Sequence, residues 1–377
     1  MKIAFFVHDY HRHGGHSRYV AELASRLKLN HEVHVFANTW EEPNPEGIIF
    51  HKVPAISNRE LLKVLSFIVP ATWMAPKGFD IIHAQGLCGL RHDLTTAHFI
   101  QPLWLRELKS RGYKPSKFSW LWTLVVPPLE HFALGPNCSK RVIAISKRIV
   151  DDLKSEYNIE KNVDLIYHGT DIVRFHPSLK GIYRDSIRRD WKVCQSDFIA
   201  LFVGNLQKGA HAAIKAVNSV QGARLALVSG SNNSKEKELC RELGVEDRII
   251  WIPKSKEVEK YFAAADCFVF PTVYEPFGMV ISEAMASGLP VITSKSAGAA
   301  DLIKHGENGF LVDEPWDWES IGQHIQFLMH DPKKSENIGH LARLSVEPYT
   351  WDKCATETLA CYQKIIDGRK APTVTRQ

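Results

Sequence analysis

The feature that most constrains this chain is a unit it repeats: a short apolar run, a turn containing glycine, then an amphipathic helix. Lys2 to His8 (KIAFFVH) runs into Gly14-Gly15, after which Tyr19, Val20, Leu23, Ala24 and Leu27 recur at helical spacing. Phe198 to Val203 runs into Gly204-Asn205-Leu206-Gln207-Lys208-Gly209 and the helix HAAIKAVNSV. Cys267 to Phe270 is stopped by Pro271 and leads into a helix expected to start near Phe277, with Gly278 in its first turn. Between these lie strand-like runs at 32–37, 47–53, 80–84, 93–97, 140–145, 225–228, 249–252, 290–293 and 310–312, with helical segments among them. Such alternation builds an α/β fold of doubly wound parallel sheets, because parallel strands need a crossover helix and are buried on both faces. At 377 residues the chain exceeds one ordinary core, so two such domains are expected, dividing near Leu179 after the polar stretch HPSLKG.

Ligands of such sheets collect at the carboxyl ends of the strands, which directs attention to the turns. A helix start at Gly278, Met279 and Val280 presents unpaired N–H groups and the positive end of the helix dipole, which suits a phosphate. Glu275 precedes this point and Glu283 lies behind it, expected on the helix surface. Carboxylates repel phosphate, so they would face sugar hydroxyls; alternatively they are helix-start acids serving dipole and solubility alone. Lys208 lies beside a helix start and can pair with phosphate oxygens as a point charge. Gly14-Gly15 either admits a ligand close to the backbone or makes a tight turn. The pattern is not GxGxxG, and Glu32 to Ala37 is followed by Asn38 and Thr39 instead of an acid, which counts against a nicotinamide oxidoreductase. His83 and His98 stand at strand ends, in DIIHAQG and TTAHFIQP.

Composition excludes other classes. The seven cysteines are scattered and odd in number, without a CxxC pair, so neither a disulfide frame nor a zinc knuckle is indicated and a reducing cytoplasm is expected. The short IAFFV run is too brief for a signal-peptide core, and no stretch reaches the ~18 apolar residues of a membrane span. A net charge of +5 without a long Lys/Arg stripe argues against nucleic acid while permitting anionic phosphates or lipid headgroups. From Gln101 to Leu134, Trp104, Trp120 and Trp122 lie among Arg106, Lys109, Arg111, Lys114 and Lys117, ahead of the apolar run Leu121 to Val126. This suits a headgroup interface or a lipid-tailed acceptor; the competing reading is a helical pair with Trp in its core.

The stretch EPFGMVISEAMASGLPVI, with Glu275 and Glu283 separated by seven residues, resembles the signature of the retaining GT-B glycosyltransferases grouped as glycosyltransferase family 4. The resemblance covers nearly the whole chain and is strongest from Ile199 to Val312. It implies two Rossmann-like domains, an acceptor-binding one at 1–178 and a nucleotide-sugar-binding one at 179–345. The segment 346–377 would then be a crossover helix packing back on the first domain, and a tail, with Trp351, Leu359, Tyr362 and Ile366 as the packing face. It implies that Glu275 lies by the transferred sugar, that Glu283 binds the nucleotide ribose, and that Gly278, Met279 and Val280 hold the diphosphate. Gly15, next to Gly14, falls where that family's first domain touches the donor diphosphate. Ile252 and Pro253 fall where the base is held, and His98 where a histidine approaches the sugar or acceptor. His83, Trp104 and Arg106 lie in the acceptor region. Asp171 and Phe175 in HGTD and its sequel would anchor a structural turn. Many members carry an Arg after the first glycine of the phosphate turn and a longer loop; this chain has Asn205 and a shorter one, leaving Lys208 as the cation there.

The resemblance therefore implies a hexosyltransferase using a nucleotide-diphosphate sugar, UDP-linked first and GDP-mannose second, with a glycan or lipid-linked acceptor. Cell-surface polysaccharide or lipopolysaccharide assembly is the expected setting, on the inner face of the membrane. No DxD occurs in the sequence, so neither metal nor other cofactor is expected, and cationic side chains with the helix dipole would stabilise the leaving diphosphate. Two rivals remain: a sugar-nucleotide binding module without turnover, and a two-carboxylate glycosidase, which needs its acids flanking one scissile bond and not phosphate-binding features.

Overall fold

The computed structural model describes residues 1–370 except 13, 42–45, 57–59, 75–76 and 111–118. It divides into two compact units, Met1–Gly169 with Trp351–Gln377, and Thr170–Thr350. The first contains the strands β1 (Lys2–Phe6), β2 (Asp9–Tyr10), β3 (Glu32–Ala37), β4 (Thr39–Trp40), β5 (Ile48–Lys52), β6 (Ile81–Gln85), β7 (Leu94–Ala97), β8 (Arg141–Ala144) and β9 (Val163–Leu165). Seven of these make one sheet in the order β5-β3-β1-β6-β7-β8-β9, while β2 and β4 pair separately. Every pairing is parallel, as with Ile3 opposite both Val33 and Ile81. The connecting helices are α1 (Gly15–Leu27), α2 (Glu60–Met74), α3 (Gln101–Ser110), α4 (Ser119–Leu134) and α5 (Lys147–Tyr157). β1 and β6 are neighbours although two strands of the sheet intervene in sequence, so the winding reverses between them and leaves a crevice at their carboxyl ends.

The second unit repeats the plan with β10 (Phe198–Val203), β11 (Ala223–Ser229), β12 (Ile249–Pro253), β13 (Cys267–Phe270), β14 (Val291–Ser294) and β15 (Phe310–Val312). Their order is β12-β11-β10-β13-β14-β15, again wholly parallel, with the reversal between β10 and β13. Its helices are α6 (Lys180–Asp190), α7 (Ala210–Ser219), α8 (Ser234–Leu243), α9 (Glu259–Ala264), α10 (Met279–Ala286), α11 (Trp318–His330) and α12 (Pro332–Val346). β10 and β13 are buried almost throughout, as unbroken apolar runs require.

The last helix, α13 (Trp351–Lys370), belongs to the first unit. Gly169 makes its start fit, since a Cβ there would stand 2.4 Å from Trp351 Cα. Trp351 and Tyr362 are buried as expected, but Leu359 and Ile366 are only half-covered. Cys354, Ala355, Thr358, Cys361 and Ile365 complete the packing face instead, because the buried stripe follows 3.6-residue spacing from Trp351.

The expected domain boundary at 178/179 lies past the observed one at 169/170. Residues 170–178 pack with the second unit: Asp171 Oδ1 accepts from Arg174 N at 3.0 Å, Phe175 is fully buried, and buried Arg343 donates to the carbonyls of Ile172 and Phe175. The turn role expected for Asp171 and Phe175 is thus observed. A second buried cation, Arg188, is fully enclosed between Asp266 at 2.7 Å and the carbonyls of Ala264, Gln195 and Asp197. Burial holds its pKa below the usual arginine value, offset by Asp266. Among the described residues no helix is long and apolar enough to cross a membrane.

Candidate active site

The two turns beside the winding reversal of the second unit lock onto each other. After β10, Asn205 Oδ1 accepts from Gln207 N at 3.0 Å and Lys208 N donates to Asn205 O at 2.9 Å, closing a single tight turn. Gly209 ends it at φ +110°, and a Cβ there would stand 2.2 Å from Pro271 O, so the turn rests directly on the end of β13. After β13 the chain is held from the other side: Gly298 N donates to Glu275 O at 2.8 Å and Ala299 N to Phe277 O at 2.6 Å. Ser294 and Ser296 hydroxyls both donate to Thr272 O. These serines are residues of the candidate site that the sequence marks only by SKSAG directly after an apolar run.

Gly278 then turns into α10 at φ +94°, where a Cβ would meet Ile281 Cδ1 at 2.9 Å and Glu275 Cγ at 3.1 Å. The helix begins at Met279, two residues past the expected start, because Gly278 is left-handed; no side chain caps it. Uncapped N–H groups at Met279 and Val280 can receive an anion. Lys208 Nζ and Glu275 Oε2 meet at 2.5 Å, whereas the sequence leads one to expect separate partners for them, phosphate and sugar. Glu283 is buried within α10, not on the helix surface as expected: the outer side of so short a helix is covered by the rest of the unit. Ile252 and Pro253 end β12, the edge strand on the far side of β11 from β10.

In the first unit, Gly14 at φ +90° precedes α1, and nothing lies within 4 Å of where a Gly15 Cβ would be, so backbone there is approachable. His98 follows β7 and is buried, its Nε2 2.8 Å from Gln85 Oε1. An amide oxygen accepts, so Nε2 carries the proton and Nδ1, without a hydrogen-bond partner, presents a lone pair. Its pKa is held well below the usual value by burial and by neighbouring His16, His168 and His83, so it works as a neutral imidazole.

The acceptor roles expected for three residues do not match their surroundings. His83 is fully buried, with Nδ1 on Tyr362 Oη at 2.8 Å and Nε2 on Thr96 Oγ1 at 2.7 Å; it ties α13 to the sheet and has no nitrogen left for a ligand. Arg106 is committed through both terminal nitrogens to Glu156, each at 2.7 Å. Trp104 is half-buried in a cluster with Phe99 and Trp122, which follows the core reading of the Trp-rich segment. Arg111, Lys114 and Lys117 lie outside the described residues, as does the side chain of Trp120. At the start of β2, Asp9 meets Lys63 and Thr39 at 2.5 Å each, a charged cluster the sequence did not signal because Lys63 is distant along the chain.

The chain compares with known proteins along nearly all of its length. Residues 184–345 match the family model described as glycosyl transferases group 1, and residues 13–174 that of glycosyltransferase family 4. An uncharacterized glycosyltransferase of Methanocaldococcus jannaschii is 30% identical over 96% of this chain and 98% of its own length. Among solved structures, WaaG, a glycosyltransferase involved in lipopolysaccharide biosynthesis, shares the fold with a TM-score of 0.78 at 20% identity, covering 94% of this chain and 99% of that one. Anabaena HepE in complex with UDP-glucose does so with a TM-score of 0.72 at 20% identity, over 96% and 99%. With both halves matched and a relative aligned nearly end to end, the chain belongs to glycosyltransferase family 4 and is a glycosyltransferase with the GT-B fold.

Proposed function

We propose that this enzyme transfers a hexose or N-acetylhexosamine from a UDP-sugar, with GDP-mannose the second choice, to a hydroxyl of a glycan or lipid-linked acceptor, with retention of configuration. The observation that carries this reading is the meeting of Lys208 and Glu275 beside the uncapped start of α10, at the winding reversal of the second unit. Cation and helix N-terminus suit a diphosphate, and the carboxylate suits sugar hydroxyls. Glu283 would hold the ribose and Ile252 and Pro253 the base, while in the first unit Gly14 and Gly15 offer a stretch of approachable backbone. The UDP-glucose bound by HepE supports the choice of base.

In the transfer, the bond from the anomeric carbon to the diphosphate oxygen breaks and one to the acceptor oxygen forms on the same face. The acceptor proton passes to the departing phosphate oxygen, so no protein base is required. Negative charge grows on the diphosphate, where Lys208 and the α10 dipole lower the barrier, while Glu275 steadies the positive ring. His98, neutral and with a lone pair on Nδ1, can accept a hydrogen bond from a hydroxyl of the acceptor. The cationic and helix-dipole equipment, with no DxD, makes the reaction independent of metal. The role of WaaG in lipopolysaccharide biosynthesis supports a setting in cell-surface glycan assembly, which we place on the cytoplasmic face of the membrane.

The test is donor turnover across a panel of nucleotide sugars, with and without EDTA. Release of UDP that persists in EDTA is expected. Abolition by EDTA with rescue by manganese or magnesium would overturn the metal-free mechanism, and no turnover with any donor would favour a binding module.

A further inference from the structure

We infer that the Lys208–Glu275 ion pair is an electrostatic latch which the donor diphosphate must open, so that Glu275 opposes nucleotide binding while serving sugar transfer. The inference rests on the donor-site reading above. Lys208 is the one cation of the turn 204–209, and its ammonium is already matched by Glu275 Oε2 at 2.5 Å. The backbones on both sides are held in place by close packing and a hydrogen bond. Gly209 is pressed against Pro271 O, where even a methyl group would clash at 2.2 Å, and Glu275 O is tied to Gly298 N at 2.8 Å. What can move is the pair of side chains, a four-carbon lysine stem and a two-carbon glutamate.

The Glu275 stem packs against Gly278, 3.1 Å from where a Cβ would stand, next to the uncapped start of α10. The protein's own carboxylate is thus an anion at the place proposed for the ligand's. A phosphate that takes Lys208 must displace it, because one ammonium cannot sit at hydrogen-bond distance from both without forcing like charges together. Displacement frees Glu275 for the sugar only once a diphosphate has arrived, which ties recognition of the sugar to that of the phosphates. A ligand that exchanges one partner for another binds more weakly by the strength of the partner it displaces. Removing the negative charge from Glu275 should therefore raise nucleotide affinity, the opposite of what deleting an ordinary binding residue does.

Calorimetric titration of UDP and GDP into wild type, Glu275→Gln, Lys208→Met and the double variant reads this directly, with Glu275→Ala as a second probe should Gln disturb folding. Since the pair is partly open to solvent, with Lys208 39% exposed, the expected gain for Glu275→Gln is about three- to fivefold. Lys208→Met should lose affinity, and the double variant should match Lys208→Met within about twofold, because the gain works through the lysine. Wild-type binding with no gain in either Glu275 variant, or a gain that survives loss of Lys208, overturns the latch and leaves the donor site standing. Failure of wild type and every variant to bind either nucleotide overturns the donor-site reading, and the latch with it.

Discussion

Glu283 shows how a residue's meaning depends on what covers it. Its spacing from Glu275 is visible in the sequence, but its burial inside α10 is not, and burial changes the experiment that reads its role. Alanine would leave a hole in a packed helix, so the informative change is Glu283→Gln, which keeps the volume and removes the charge. A carboxylate accepting from ribose hydroxyls forms charge-assisted bonds, and their weakening should cost about tenfold in nucleotide affinity. Unaltered affinity in titration calorimetry would remove Glu283 from the ribose. Glycine spacing was likewise legible at 209 and 278, whereas the reason only glycine serves, Pro271 O beneath one and Glu275 and Ile281 beside the other, exists only once the chain is folded.

Among the elements, α2 and α4 of the first unit are the least conventional. They share a core of Ile68, Val126 and Ala133, yet α2 leaves Leu62, Val69 and Trp73 exposed on one face, and α4 leaves Leu124 and Phe132. Trp73 is 88% exposed, a large apolar side chain that water does not favour. From the sequence, membrane contact is expected on the Trp-rich segment from Gln101 to Leu134. Trp104 and Trp122 pack against each other there, and among the described residues α2 carries the most exposed large apolar side chain, Trp73. We expect Trp73→Ser with Leu124→Ser to reduce cosedimentation with vesicles by about tenfold or more, since burying one tryptophan side chain contributes roughly 2 kcal/mol. Changing Lys109, Arg111, Lys114 and Lys117 to Ser should reduce binding to anionic vesicles only. Equal, negligible sedimentation for all proteins on neutral and anionic lipid would return both helices to ordinary packing and point to a soluble acceptor.

For the molecule as a whole, the buried histidines of the first unit set its response to acid. His83 and His168 are pushed down to about 3 and His92 to about 4, each chiefly by burial, and His98 lies well below the usual value. Between pH 6.5 and about 4 the unfolded chain binds protons at these sites and the folded chain does not, so stability falls as pH falls. Each adds about 1.4 kcal/mol per pH unit to the slope within its window. Glu130 acts oppositely: burial raises it to about 7 despite bonds from Tyr157 Oη and Gln101 N, so its contribution is lost as pH rises from ~4.5 toward 7. Several histidines outweigh one glutamate. The melting temperature is expected to drop by about 10 °C or more from pH 7 to pH 5; a flat profile by calorimetry would mean that the histidines are protonated in the folded protein.

Strand and helix alternation, the two-domain plan, the turns at Gly14, Gly204 and Gly278 and the spacing of Glu275 and Glu283 were all determined by sequence alone. They follow from local causes: apolar runs buried on both faces, turn chemistry and the short reach of a helix start. What only the tertiary structure decided depends on residues far apart in the chain. The strand order puts β10 beside β13 and thereby Lys208 beside Glu275. The return of α13 turns His83 from a strand-end candidate into a fully bonded tie to Tyr362. The packing of 170–178 moves the boundary to 169/170. Periodicity carries information about which side of an element is apolar, but not about which distant element will cover it, and it is that covering which decides whether a polar side chain serves the fold or a ligand.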